Sequence, residues 1–225
     1  MFHRCAAAPR RLLAALLIVF APVATMQDAH AHPHGWIDIQ VTVLLDDEGA
    51  VLGLRQSWLF DEMYSAFATE GFDSDGDGMP DMDHVAALVE ANLMQLREYD
   101  YFTEAASAGA PLAIPDATDA VANFAGGRLF MAFTLLFDEP VARAAQPFTY
   151  AVFDPFYMAA ILHLPDGEGI RLEGGPAGCI ARIDEAEPDP AVVAYALSLD
   201  VNQNTDDSLG SLFAERVTVS CADAP

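Results

Sequence analysis

The chain contains no lysine. Its 225 residues carry ten cationic side chains, all arginine, against 34 aspartates and glutamates, for a formal net charge of −24. A surface this acidic repels phosphate backbones and anionic lipid headgroups, which argues against nucleic acid and anionic membranes as partners and favours cations. Solubility in an exported protein, or a high-salt habitat, selects for the same bias. Cysteine is scarce, with three in the chain. Long hydrophobic runs are also missing. Although 53% of residues are hydrophobic, enough to exclude a disordered chain, no apolar run reaches the ~18–20 residues of a membrane span. There is no nucleophile elbow, no HExxH helix, no glycine-rich phosphate loop and no coherent Ser/His/Asp set, so the common hydrolase and phosphoryl-transfer classes find no support.

Residues 1–31 carry the anatomy of a secretory signal peptide. Arg4, Arg10 and Arg11 form a positive start, Leu12 to Ala21 a short apolar stretch, and Ala29-His30-Ala31 a small-x-small cleavage site. Arg10-Arg11 also permits a twin-arginine route. Cleavage after Ala31 leaves seven arginines against 33 acids, a net charge of −26. The mature chain is then expected in the periplasm, without a membrane span. Cys5 leaves with the signal, and Cys179 and Cys221 remain as an even pair in an oxidising compartment, the setting for a disulfide. Two distant thiols with no histidine beside them do not suit zinc.

Strict alternation over "WIDIQVTVLL" places Ile37, Ile39, Val41 and Val43 on one face, a half-buried strand. The turn "DDEG" and the run "VLGLRQSWLF" complete a hairpin. Asp61 can then cap a short helix. A longer helix is expected over about 83–98, where Val85, Leu88, Val89, Leu93 and Leu96 recur at helical spacing. Beyond residue 101 short β-rich runs return, divided by Gly, Pro and acidic turns, and a further helix at 190–199 is capped by Asp189 with Pro190 in its first position. Residues 200–210 read as a polar loop. The expected architecture is α+β: one mainly antiparallel, sandwich-like β domain over 32–225. A helix–acidic loop–helix insertion, EF-hand-like in pattern, occupies about 61–99.

The acidic segment 73–84 fits a twelve-position calcium loop. Asp73, Asp75 and Asp77 fill positions one, three and five, and Gly78 stands at the sharp turn of position six. Met79 offers a carbonyl at seven, and Asp81 sits at nine. Two positions depart from the pattern: Pro80 replaces a branched apolar residue, and His84 stands where a bidentate Glu is usual. Asp83 or water can supply the missing oxygens, and the affinity expected is of the extracellular class, ~10⁻⁴–10⁻³ M. An acidic turn that only solvates is the plainer alternative.

If cleavage follows Ala31, the new N-terminus is His32-Pro33-His34. An α-amine and two imidazoles suit nickel, zinc or copper. Pro33 lacks an ionisable amide hydrogen and so blocks the square-planar amino-terminal motif, leaving a histidine brace. A fourth ligand would come from elsewhere, such as His163, His84 or a carboxylate. Equally, His34 can simply begin the strand, and His163 in its apolar run reads first as a core histidine.

The motifs "AHPHGWID", "WLFDEMYSAF", "DSDGDG", "EYDYFT", "DPFYMAAILH", "EGGPAGC" and "LFAERVTVSC" occur in this order. Together they resemble the bacterial family known as domain of unknown function 1007. The resemblance covers essentially the whole mature chain. It implies an exported protein associated with nickel/cobalt-type or zinc permeases of the inner membrane, with no established activity. His32 and His34 match the family's HPH start, and Asp73, Asp75, Asp77 and Gly78 match its acidic loop, which usually ends in Glu rather than His84. Asp61 and Glu62 match an acidic pair before a helix, and Asp154 and Tyr157 match a "DP-F/Y-Y" segment.

Three functions compete on this reading. The first is a periplasmic metal-handling accessory or substrate-binding protein of a divalent transition-metal transport system, itself not an enzyme. The second is a calcium-stabilised structural or interaction domain without a transition metal. The third is a copper-dependent oxidative enzyme built on the histidine brace.

Overall fold

The computed structural model describes residues 33–199 and 208–221. The chain opens with the hairpin β1 (Gly35–Leu45) and β2 (Val51–Phe60), followed by helices α1 (Glu62–Ala68) and α2 (Met82–Leu96). Next come β3 (Thr103–Ser107), β4 (Ala110–Pro111), β5 (Ala117–Ala125), β6 (Arg128–Val141) and β7 (Phe148–Val152). The chain continues with β8 (Ala159–His163), β9 (Ile170–Glu173), β10 (Cys179–Asp184), α3 (Pro190–Ser198) and β11 (Arg216–Cys221). One sheet runs β5-β6-β2-β1-β8, with β9 also on β1; the other runs β10-β11-β7-β3-β4. Among the described residues no helix is long and apolar enough to cross a membrane.

The alternation that marks β1 as a strand also builds the core. Ile37, Ile39, Val41 and Val43 are buried, and they share one apolar cluster with Leu54, Trp58 and Phe133 of their own sheet and Phe148, Tyr150, Val217 and Val219 of the other. The fold is thus the expected α+β arrangement, two sheets facing each other in a sandwich-like stack. One detail differs from the expectation of antiparallel pairing. Both β8 and β9 lie parallel to β1, over Gly35–Ile39 and Val41–Leu44 respectively. The intervening turn keeps register through Leu164 N–H to the Ile39 carbonyl (2.8 Å) and Val41 N–H to the Gly169 carbonyl (2.9 Å). The chain has crossed from the opposite sheet before β8, so it meets β1 running in the same direction.

The helices obey their local signals. Val85, Val89 and Leu93 are the buried stripe of α2, and Asp189 caps α3 through Ala191 N–H, with Pro190 in the first position. The expected extension of α2 to residue 98 is corrected: a 3-10 turn over Arg97–Phe102 replaces it. In this turn Asp100, Tyr101 and Phe102 all take left-handed φ, 51°, 53° and 56°. Aspartate takes this region readily, but for Tyr101 and Phe102 it costs about 1–2 kcal/mol each, which the packing of Tyr101 on Phe133 and of Phe102 on Trp58 offsets. Part of the expected polar loop is also corrected. Residues 200–207 lie outside the described residues, but Leu209 is buried against Ala196 and Leu199.

Two polar bridges join the sheets through the core. Gln56 of β2 is fully buried; its Nε2 donates to Thr103 Oγ1 of β3 (2.8 Å) and its Oε1 accepts from Trp58 Nε1 (2.9 Å). His163 of β8 sets its Nδ1 2.8 Å from Glu215 Oε2, and its backbone N–H donates to the same oxygen at 2.7 Å. A ring donating from Nδ1 leaves Nε2, in the neutral form, to accept the Tyr150 hydroxyl of β7 at 3.3 Å. Such groups are tolerated in a core only because each finds a partner. Burial pushes the Tyr150 phenol well above its ordinary value, with the nearby Glu215 charge adding to the effect.

The expected disulfide is present. Cys179 and Cys221 are bonded across 42 positions and face each other in the β10–β11 ladder. Chain-entropy reasoning assigns a loop of this length about 4 kcal/mol. A Cys179→Ser/Cys221→Ser double variant should therefore lose up to about 4 kcal/mol in urea unfolding relative to the oxidised chain; an unchanged midpoint would contradict this. A second prediction concerns acid. Burial raises the Glu215 pKa, but the hydrogen bonds from the His163 ring and backbone and the attraction of that ring outweigh burial, so the net shift is downward. A lowered folded value means the stabilisation is present above the ordinary glutamate range, ~4.3, and is lost as pH falls through the lower folded value. Glu215→Gln should flatten the fall in stability below that range, measured by chemical unfolding across an acid pH series.

Candidate functional site

The loop between α1 and α2 is held at both ends. Asp61 caps α1: its Oδ1 accepts from Tyr64 N–H at 2.9 Å and its Oδ2 from Trp36 N–H at 2.8 Å. Glu62 is exposed in the first turn, where a negative charge suits the helix dipole. Ser65 is buried and ties the helix to β6 by accepting from Leu129 N–H at 2.8 Å. At the far end Asp81 N–H donates to the Phe72 carbonyl (2.9 Å), closing the loop as α2 begins.

Within this frame the backbone winds around its own carboxylates. Asp73 accepts from Gly76 N–H (2.7 Å) and Gly78 N–H (3.0 Å). Asp75 accepts from Asp77 N–H (3.1 Å) and Asp77 from Met79 N–H (2.8 Å). Gly76 and Gly78 sit at φ 78° and 87°, left-handed conformations that suit glycine. The result is that one carboxylate oxygen from each of Asp73, Asp75 and Asp77 lies within 4.8 Å of the others. All three residues are exposed. Among the described residues the ion pairs involve none of them. Three uncompensated carboxylates repel one another, and an oxygen-seeking cation relieves that repulsion while using the oxygens as ligands.

The other expected ligands are placed differently. Asp81 accepts the Ser74 hydroxyl, and its carboxylate lies 3.9 Å from His84 Nδ1. The exposed His84 ring packs against Phe72, with ring centroids 5.3 Å apart. Met79 keeps an exposed side chain. His32 lies outside the described residues. His34 is half-buried and its N–H donates to the Met158 carbonyl at 2.7 Å, which anchors the start of β1. His163 serves the buried bridge to Tyr150 and Glu215.

The "DPFYMAAILH" residues have structural work to do. The buried Asp154 carboxylate accepts from Phe156 N–H and Ala159 N–H, both at 3.0 Å, shaping the turn into β8. Tyr157 stacks on Phe213 at 4.0 Å between centroids. Its phenol is raised by burial.

Sequence reasoning missed a second feature of this end of the molecule. A cavity of about 260 Å³ lies between the hairpin β1–β2 and the helices, with Trp36, Trp58, Phe60, Tyr64, Tyr99 and Phe102 in its lining. The aromatic density of "WLFDEMYSAF" and "EYDYFT" was its only trace in the sequence.

Comparison with known proteins agrees with the family resemblance. The chain is 25% identical over 192 residues to an uncharacterized protein of Haemophilus influenzae, covering 85% of this chain and 91% of that protein. The profile of the family described as "Protein of unknown function (DUF1007)" matches residues 15–221, nearly the whole chain, and the protein belongs to that family.

Proposed function

We propose that this is an exported metal-handling protein whose Asp73–Asp77 loop binds calcium. In this reading it serves as an accessory or substrate-binding component of a divalent transition-metal transport system in the periplasm. The observation that carries the metal reading is the convergence of three carboxylates within 4.8 Å on an all-oxygen loop. Hard oxygen donors alternating on a tight turn suit calcium better than nickel or copper. Export is supported by the signal-like residues 1–31 and by the Cys179–Cys221 bond. The transport role rests on the family resemblance and on the His32-Pro33-His34 start.

A second reading, a calcium-stabilised structural or interaction domain without transition metal, is favoured by one observation. His163, a candidate fourth ligand, is already engaged by Tyr150 and Glu215.

The test uses the full chain expressed with its own N-terminal segment, with the mature N-terminus read by sequencing. At 10 mM calcium and a Kd of ~0.1–1 mM, mass action gives about 1.4–2.7 kcal/mol of stabilisation, or roughly 3–11 °C in melting temperature for a chain of this size. Asp75→Ala should abolish the shift, and a calcium-independent melt in the parent would refute the loop as a site. Nickel, zinc and copper titrations with and without His34→Ala separate the two readings. Tight binding that the variant loses supports metal handling, and no binding below ~10 μM leaves the structural role.

A further inference from the structure

The aromatic cavity beside Asp61 uses different residues from the calcium loop, and the loop does not explain it. Its walls are held before any ligand arrives. Phe60 stacks on Tyr64 at 5.0 Å between centroids, and Trp58 on Phe102 at 6.2 Å. Phe102, the last residue of the left-handed run Asp100–Phe102, stands against Trp58. Strain of this kind persists only where the surroundings over-determine it, and it concentrates at ligand sites.

The mouth stays open. Trp36 and Tyr99 line the cavity yet are 49% and 45% exposed, so two large aromatic side chains reach solvent at its rim. Asn92 and Gln95 of α2 add neutral amides to the lining. Among the described residues of the lining, the one side chain charged at neutral pH is the Asp61 carboxylate, and no arginine or histidine joins it. Each Asp61 oxygen accepts one backbone N–H, from Tyr64 and from Trp36, which leaves lone pairs for a further donor.

A mostly apolar cleft with a few convergent polar groups is the ordinary form of a small-molecule site. Charge selects the occupant. A lone carboxylate among ring faces, on a chain of net charge −24, rejects anions. Electron-rich faces of Trp and Tyr attract cations directly, and more strongly where water is excluded. We infer that this cavity binds a small organic cation, an amine or quaternary ammonium on an apolar or aromatic body. Its charged head would lie at Asp61 and its body between the tryptophan and tyrosine rings.

Both tryptophans of the chain line the cavity, so intrinsic fluorescence reports on it directly. The full chain is titrated with four probes of similar size: 2-phenylethylammonium, benzyltrimethylammonium, neutral 2-phenylethanol and anionic 3-phenylpropionate. The two ammonium probes should give saturable changes, with the alcohol at least roughly tenfold weaker and the anion showing none. Asp61→Asn keeps an oxygen for the helix cap and removes the charge; it should weaken the ammonium probes about tenfold and leave the alcohol unchanged. Gln95→Arg, at an exposed position of α2, places a cation at the mouth and should have the same effect if Asp61→Asn does not fold. Absence of saturation by both ammonium probes overturns the proposal. So does equal binding of cation, alcohol and anion, or unaltered affinity in folded Asp61→Asn and Gln95→Arg.

Discussion

The helical side of this molecule depends on one carboxylate. Asp61 ends β2 and begins α1, and it holds the first strand from both its backbone and its side chain. Its N–H donates to the Trp36 carbonyl at 2.9 Å while its Oδ2 accepts Trp36 N–H, which continues the β1–β2 ladder one step past Ile37 and Phe60. Its Oδ1 fixes the first turn of the helix. Gly35 makes the close approach possible: a Cβ there would stand 3.1 Å from Asp61 Oδ2. The direction of α1, the span the acidic loop must cross, and one wall of the aromatic cavity all follow from this joint.

Beyond the joint, the sandwich is held by contacts of a different kind. Apolar burial drives the sheets together, but it does not fix which strand faces which. The Gln56–Thr103 and His163–Tyr150–Glu215 bridges do, because a slipped arrangement would leave these groups buried and unsatisfied. The disulfide pins the β10–β11 pair covalently at the edge of the second sheet. Apart from the buried Asp154 and the Glu215 of the core bridge, the carboxylates of the loop and the cavity lie toward solvent. The three loop aspartates are exposed, and the carboxylate in the cavity lining is only part-buried.

Much of this was legible in the residues themselves. The hairpin follows from period-two alternation, α2 from its 3.6-residue stripe, α1 and α3 from Asp61 and Asp189, and the loop from Asp-Gly spacing. The Cys179–Cys221 pair follows from being the two cysteines left after the N-terminal segment. What was not legible depends on tertiary approach. The parallel docking of β8 and β9 on β1 comes from a crossover with no local signal. Strand β5 is an exposed edge with little apolar alternation, and its register shifts between Thr118 and Val121, where Asp119 takes φ 53°. The cavity gathers Trp36, Tyr64, Gln95 and Met131 from four elements, and no sequence window contains them. His163 was open to two readings, as core residue or ligand, until Tyr150 and Glu215 were placed around it.

The wound loop of Asp73, Asp75 and Asp77 is proposed as a cation site, and all of the metal reading rests on it. The most direct measurement is a crystal structure of the chain grown in calcium, with the ion identified by its anomalous scattering. One ion bound to oxygens of all three aspartates at about 2.3–2.6 Å is the expected result. Well-ordered aspartates facing solvent, with no ion between them in saturating calcium, would contradict it.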